Sequence, residues 1–227
     1  MTTENTLSKF SENQIDKWRK IGDPSYSKRL GVYPVITVNM APGSGGSIVA
    51  QKVATLLGFD YFDRELLEAV AQSAEVTPRV LEKLEKERFS GFQDFIASLL
   101  DEHYIWPGVY LDHLRNMVNA ISRRGHAVIV GRGAAYLLPQ MNRLSVRVVA
   151  PMEDRIQNVM RDFKVSEEEA NKRILYREAR RANFIKKSFH SDINDPTNYD
   201  LVINTSVFEM NAAAEIICAA WAKKFYE

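Results

Sequence analysis

Val35-Ile36-Thr37-Val38-Asn39-Met40-Ala41-Pro42-Gly43-Ser44-Gly45-Gly46-Ser47 is the stretch on which the reading of this chain turns. The apolar, β-branched run over 35–39 reads as a buried strand. A glycine-rich turn follows it. Ile48, Val49, Val53, Ala54, Leu56 and Leu57 then give 46–57 the period of an amphipathic helix, stopped by Gly58. Strand, glycine turn and helix N-terminus in that order aim bare backbone N–H groups at one spot, which makes an anion cradle; the alternative is a plain tight turn. The phosphate-loop pattern G-x-x-x-x-G-K-[ST] asks for Gly at Met40 and Lys at Gly46, so that Gly45 and Ser47 alone match it. The candidate cradle is Gly43, Ser44, Gly45, Gly46 and Ser47, with Ser47 where a hydroxyl would meet a metal ion.

Outward from this stretch, apolar strands alternate with helical periods. Residues 59–62 read as a second short strand, and Asp63 as the N-cap of a helix over about 64–73. Thr77-Pro78 opens another helix, and 92–101 and 108–123 read as helical. Ala127-Val128-Ile129-Val130 is a buried strand running into Gly131-Arg132-Gly133, and 144–150 is another. A helix starts at Pro151 and runs to about 162. Ser166 with Glu169 forms a capping box for a long charged helix to about 187. Residues 201–204 are the last strand, and 208–225 the last helix. This alternation implies an α/β fold whose parallel sheet is covered on both faces. Ligands in such sheets bind outside the C-terminal strand ends, where the loops 40–47, 131–133 and 192–200 converge. Asp192 to Tyr199 reads as too polar to pack, hence a mobile segment and part of a lid.

Residues 1–33 are polar with sparse apolar anchors (Phe10, Ile15, Trp18, Ile21 and Leu30) and read as an N-terminal arm, either a loose extension or a contact to a second subunit in a homodimer. The remaining 34–227 are the length of one large domain. A net charge of +1 gives no global field toward nucleic acid or membrane, so neither is an expected partner. No run of about 18 apolar residues suggests a membrane span, and 1–5 lack the features of a secretory signal. The single cysteine, Cys218, sits in an apolar helical pattern and reads as core, which fits a cytoplasmic protein.

Three further groups carry chemistry. Arg132 lies between two glycines at a strand exit; it either grips a phosphate bidentately or is a surface arginine in a turn. Arg177, Arg180 and Arg181, at i, i+3 and i+4, share one helix face, as a charge-neutralising stripe for phosphoryl transfer or as a solvated face. Asp63 either caps its helix or contacts a substrate hydroxyl or Mg²⁺.

Taken together these elements resemble the cytidylate kinase-like family, relatives of bacterial cytidylate kinase among the P-loop nucleoside monophosphate kinases, over about residues 34–225. The resemblance rests on Gly43-Ser44-Gly45-Gly46, Tyr61-Phe62-Asp63-Arg64-Glu65-Leu66, Val128-Ile129-Val130-Gly131-Arg132-Gly133, Pro151-Met152-Glu153-Asp154-Arg155, Arg180-Arg181-Ala182-Asn183 and Asp195-Pro196-Thr197-Asn198-Tyr199-Asp200-Leu201-Val202-Ile203-Asn204-Thr205, in that order. It implies a five-stranded parallel sheet of order 2-3-1-4-5, a substrate-binding insert near 63–125 and a lid near 164–195. It also implies transfer of the γ-phosphoryl of ATP, with Mg²⁺, to a pyrimidine nucleoside monophosphate such as CMP or dCMP. Arg132 would bind the acceptor phosphate, Asp63 and Arg64 would belong to the substrate-binding side, and Arg177 and Arg180 match lid arginines.

The chain also departs from the true cytidylate kinases. Gly46 stands at the position of their loop lysine, and Ser47 follows where the family often has arginine. Arg181 stands where they have a lid acid, and Phe184 near a later lid arginine. Val130 replaces an acid ahead of Gly131, and Ala69 replaces an acceptor-binding arginine, leaving Arg64 as its substitute. These departures keep a second expectation open, a nucleotide-binding regulatory module of the same fold with weak or no catalysis. A third is a kinase of this fold acting on a sugar or a shikimate-like acid.

Overall fold

The computed structural model describes residues 34–63 and 108–226. Five strands, β1 (Val35–Met40), β2 (Asp60–Phe62), β3 (Ala127–Val130), β4 (Arg143–Val149) and β5 (Leu201–Asn204), form one sheet of order β2-β3-β1-β4-β5. Every neighbouring pair is parallel: Ile36 lies opposite Val128 and Leu144, and Val146 opposite Leu201. The helices are α1 (Gly46–Leu57), α2 (Gly108–Arg124), α3 (Ala134–Leu137), α4 (Met152–Phe163), α5 (Glu167–Phe189) and α6 (Met210–Phe225). The five-stranded parallel sheet in the expected order is therefore present.

The pleat of the central strands sends alternate side chains to opposite faces. Ile36, Val38, Val128 and Val130 meet α1 and α6 through Val49, Val53, Leu57, Ile217 and Trp221. Val35, Ala127 and Ile129 meet α2, α3 and α5 through Leu114, Val118, Ala134 and Ile185. Both faces are dry, which is why these strands read as unbroken apolar runs. Cys218 lies fully buried in the first layer, and burial pushes its thiol pKa up. Because α1 follows β1 on one face and α3 follows β3 on the other, a crevice opens between the exits of β1 and β3. A smaller cluster of Val159, Ala170 and Ile174 ties α5 to α4.

The N-cap half of the capping box is formed, Ser166 Oγ accepting from the Glu169 amide at 3.3 Å, while the Glu169 carboxylate pairs with Arg173 at 2.7 Å. The segment after α5 departs from expectation. Residues 192–199 are packed: Ile193 and Tyr199 are buried, the Tyr199 hydroxyl donates to the Ile193 carbonyl at 2.8 Å, and Asp195 caps a 3-10 turn over Pro196–Asn198. Two isolated apolar residues anchor an otherwise polar loop. The arm 1–33, the helices expected over 64–101 and Arg64 lie outside the described residues. Among the described residues no helix is long and apolar enough to cross a membrane.

Candidate active site

The glycine loop is clamped from every side. From β1 onward, the Ala41 amide donates to the Val148 carbonyl at 2.9 Å, and the Gly131 amide to Val38 at 2.9 Å. On the α4 side, Asn158 Nδ2 donates to the Gly43 carbonyl at 2.9 Å, and Arg155 reaches the Pro42 carbonyl at 3.4 Å. The same Arg155 guanidinium is ion-paired at 2.7 Å with Glu178 of α5. On the β5 side, Thr205 Oγ1 donates to the Ser44 carbonyl at 2.7 Å. The close fit requires the glycines. A Cβ on Gly43 would fall 2.7 Å from the Arg155 carbonyl oxygen, on a backbone already at φ +83°.

Ser44 serves this framework. Its amide donates to Ala41 at 3.1 Å and its buried hydroxyl to Val148 at 3.3 Å, so its polar atoms face inward. The amides of Gly45, Gly46 and Ser47, by contrast, have no acceptor among the described residues. They lie at the start of α1, where Gly45 in the left-handed region precedes the first turn, at the positive end of the helix dipole. Ser47 Oγ is exposed and donates to a thioether, Met40 Sδ, at 3.3 Å. Thiols and thioethers are weak partners, so this hydroxyl is available to an oxygen-seeking cation. No cluster of three or more His, Cys, Asp or Glu that could hold a metal occurs among the described residues.

Over this loop stands a group of guanidinium ions. Arg181 of α5 donates to the Met40 carbonyl, the last of β1, at 2.7 Å. It reaches solvent, yet protein atoms crowd its head. That crowding, followed by repulsion from Arg177, Arg132 and Arg147, lowers its pKa to about 10, with Asp63 opposing. The structure thus brings Asp63, Arg132, Arg177 and Arg181 of the expected residues to one place. Arg132 reaches it from Gly131-Arg132-Gly133, all three in the left-handed region, a rare state for a non-glycine residue. A Cβ on Gly133 would lie 2.5 Å from the Phe189 ring, so close approach of α5 requires glycine there. Asp63 accepts a long bond from the Tyr61 hydroxyl at 3.5 Å; burial and then this carboxylate raise the Tyr61 pKa to about 12. Arg177 also lies over the Phe163 ring, and Arg180 lies against Tyr176, its guanidinium 5.4 Å from the ring centre.

Arg147 has no counterpart among the expected site residues. It is buried in β4, bonded to Asn39 Oδ1 and, at 2.8 Å, to Asn194 Oδ1, and it lies over Tyr199. Through Asn194 it pins the 192–199 loop. A charged residue inside an apolar strand was its sequence signal. Arg155, quoted above as part of a motif but given no role, is the other buried arginine among the described residues.

A glycine loop leading from the first strand of a 2-3-1-4-5 parallel sheet into a helix defines the P-loop kinase fold. Solved structures agree: an uncharacterized protein from Eubacterium ventriosum is 20% identical with a TM-score of 0.60, covering 82% of this chain and 96% of its own. Shikimate kinase from Acinetobacter baumannii, in complex with shikimate, is 18% identical with a TM-score of 0.51 over 88% and 99%. Among curated proteins, cytidylate kinase of Ignicoccus hospitalis is 27% identical over 81% of this chain and 96% of its own length. The model of the cytidylate kinase-like family matches residues 35–207, from the first strand through the last, and the chain belongs to that family.

Proposed function

We propose that this protein transfers the γ-phosphoryl group of ATP to a nucleoside monophosphate. The observation that carries this reading is the crowding of positive charge around Arg181, on which Arg177, Arg132 and Arg147 act as repelling neighbours and Asp63 is the one opposing carboxylate among the described residues. Such a surplus, beside the unpaired amides of Gly45, Gly46 and Ser47, suits a substrate rich in negative charge. The β- and γ-phosphates would lie on those amides. Arg132, across the β1–β3 crevice, would take the acceptor phosphate, with Arg64 as a second cation and Asp63 toward a substrate hydroxyl. One oxygen of that phosphate attacks the γ-phosphorus as the bond to the β–γ bridging oxygen breaks, and ADP leaves carrying the electron pair. Arg181 and Arg177 neutralise charge on the moving group, with Arg180 beside them on α5. Ser47 would hold a Mg²⁺, whose charge would offset that of the phosphates. A pyrimidine acceptor, CMP or dCMP, is inferred from relatives named cytidylate kinase.

The test is ³¹P NMR of ATP, Mg²⁺ and each common monophosphate. We expect ADP and a nucleoside diphosphate to appear together, fastest with CMP or dCMP, and to be lost with Arg132→Ala. No diphosphate above that variant with any acceptor would refute transfer. A second reading, nucleotide binding without turnover, draws on Val130, buried and apolar where the true cytidylate kinases carry an acid. It expects ATP to raise the melting temperature while no product forms.

A further inference from the structure

Two departures from the phosphate-loop pattern, Met40 in place of glycine and Gly46 in place of lysine, are one change when seen in three dimensions. A Cβ on Gly46 would lie 2.5 Å from Met40 Cβ and 3.2 Å from Met40 Sδ. Real Cβ atoms do not approach that closely, and Met40 Cβ is fixed to the backbone of the central strand. With methionine at 40, position 46 can carry no side chain, lysine included. Conversely, Met40→Gly would remove both close atoms and leave Val148 Cβ, at 3.2 Å, as the tightest neighbour of a side chain at 46. The cation a phosphate loop needs must then come from elsewhere. Arg181 arrives at this corner, its guanidinium bonded to the carbonyl of Met40 itself at 2.7 Å. That bond uses one N–H and leaves the rest of the guanidinium fork for an anion. It fixes the group at the strand exit beside the unpaired amides of the loop.

We propose that Met40 and Gly46 are a compensated pair and that Arg181, anchored on the Met40 carbonyl, supplies from α5 the positive charge that the loop cannot carry at position 46. This rests on the reading that the loop holds a polyphosphate. It goes further by assigning the loop cation to one residue and by giving the steric reason for it. Repulsion by Arg177, Arg132 and Arg147 makes Arg181 a group that an arriving anion relieves.

The test uses the full chain and inorganic tripolyphosphate, which probes the loop without acceptor or transfer. By calorimetry, Arg181→Gln is expected to weaken binding about ten- to a hundred-fold, the effect of one charge-assisted contact, and Arg181→Lys to recover part of it. Gly46→Lys alone should lower the melting temperature, and Met40→Gly with Gly46→Lys should restore it, because the carbonyl and the loop path survive while the clash does not. In that double background, Arg181→Gln should cost no more than about three-fold, an ammonium having taken over. Equal losses from Arg181→Gln in both backgrounds would overturn the proposal, as would a Gly46→Lys variant as stable as the natural chain. Absence of tripolyphosphate binding to the natural chain would overturn it as well. Failure of the kinase reading is distinct: tripolyphosphate binding would keep its dependence on Arg181 while no monophosphate is phosphorylated.

Discussion

The floor and the roof of the site are built on opposite plans. The floor, 41–47, is neutral and fixed. Arg155, Asn158, Thr205 and the β4 backbone hold its carbonyls and inner amides, and glycine is required where neighbours come within van der Waals distance. The roof is charged and under mutual repulsion. Arg181 has Arg132, Arg147 and Arg177 about it and, among the described residues, Asp63 as the one carboxylate acting on it. Preorganised amides need no rearrangement to meet an anion, whereas crowded like charges gain when one arrives. The two are joined by Arg155, which touches the Pro42 carbonyl and pairs with Glu178 on α5. A change in the floor should therefore register as stability, and one in the roof as activity.

The largest effect is expected at the roof. Arg181→Gln should lower kcat/KM by about 10²–10³-fold, the cost of losing a cation aimed at developing charge, with a melting temperature equal to or above that of the natural chain. An equal fall in stability would erase the distinction. At the floor, Gly43→Ala puts a Cβ against the Arg155 backbone at φ +83° and should cost about 2–4 kcal/mol in denaturant melts. Gly58→Ala, also at positive φ (+68°) but with open space around it, should cost about 1–2 kcal/mol. Equal losses at the two glycines would show that the loop is not clamped.

Away from both regions, Asp200 accepts from Lys224 Nζ at 2.8 Å and from the Ser145 amide at 2.7 Å. Burial raises its pKa, but these bonds and the nearby Arg143 outweigh it and hold the carboxyl below its usual range. A depressed folded pKa stabilises above the unfolded value. Asp200→Asn should therefore lower stability at pH 7, and the gap from the natural chain should close as pH falls below about 4. A gap that persists in acid would show that the charge is not what β5 uses. The smallest effect is a pH signature of the roof. Because Arg181 is depressed to about 10, the ratio of natural to Arg181→Gln affinity for tripolyphosphate should shrink as pH rises from 9 to 11. A constant ratio would mean an ordinary arginine.

The floor was largely legible in the sequence because its signals are local. The β-branched run of 35–39, the glycines and the apolar period of 46–57 each dictate their own conformation. What was missed depends on side chains meeting across the fold. Ser44 looked like part of the cradle, yet its hydroxyl finds Val148, 104 positions away. Arg147 in β4 finds Asn39 across the β1–β4 register, a pairing no spacing along the chain displays. α3 has four residues, too few for a helical period. Residues 192–199 looked too polar to pack because Ile193 and Tyr199 are separated by residues whose polar groups are satisfied within the loop or, for Asn194, by Arg147 of β4. Arg177, Arg180 and Arg181 form one stripe by spacing, but Arg180 is described against Tyr176, while Arg177 and Arg181 interact with each other.

A crystal structure of the full chain with a non-hydrolysable ATP analogue, Mg²⁺ and CMP tests the central claim most directly. The account predicts β- and γ-phosphate density on the amides of Gly45, Gly46 and Ser47 with Arg181 against it, and the CMP phosphate on Arg132. Phosphates lying elsewhere, with Arg181 turned to solvent, would contradict it.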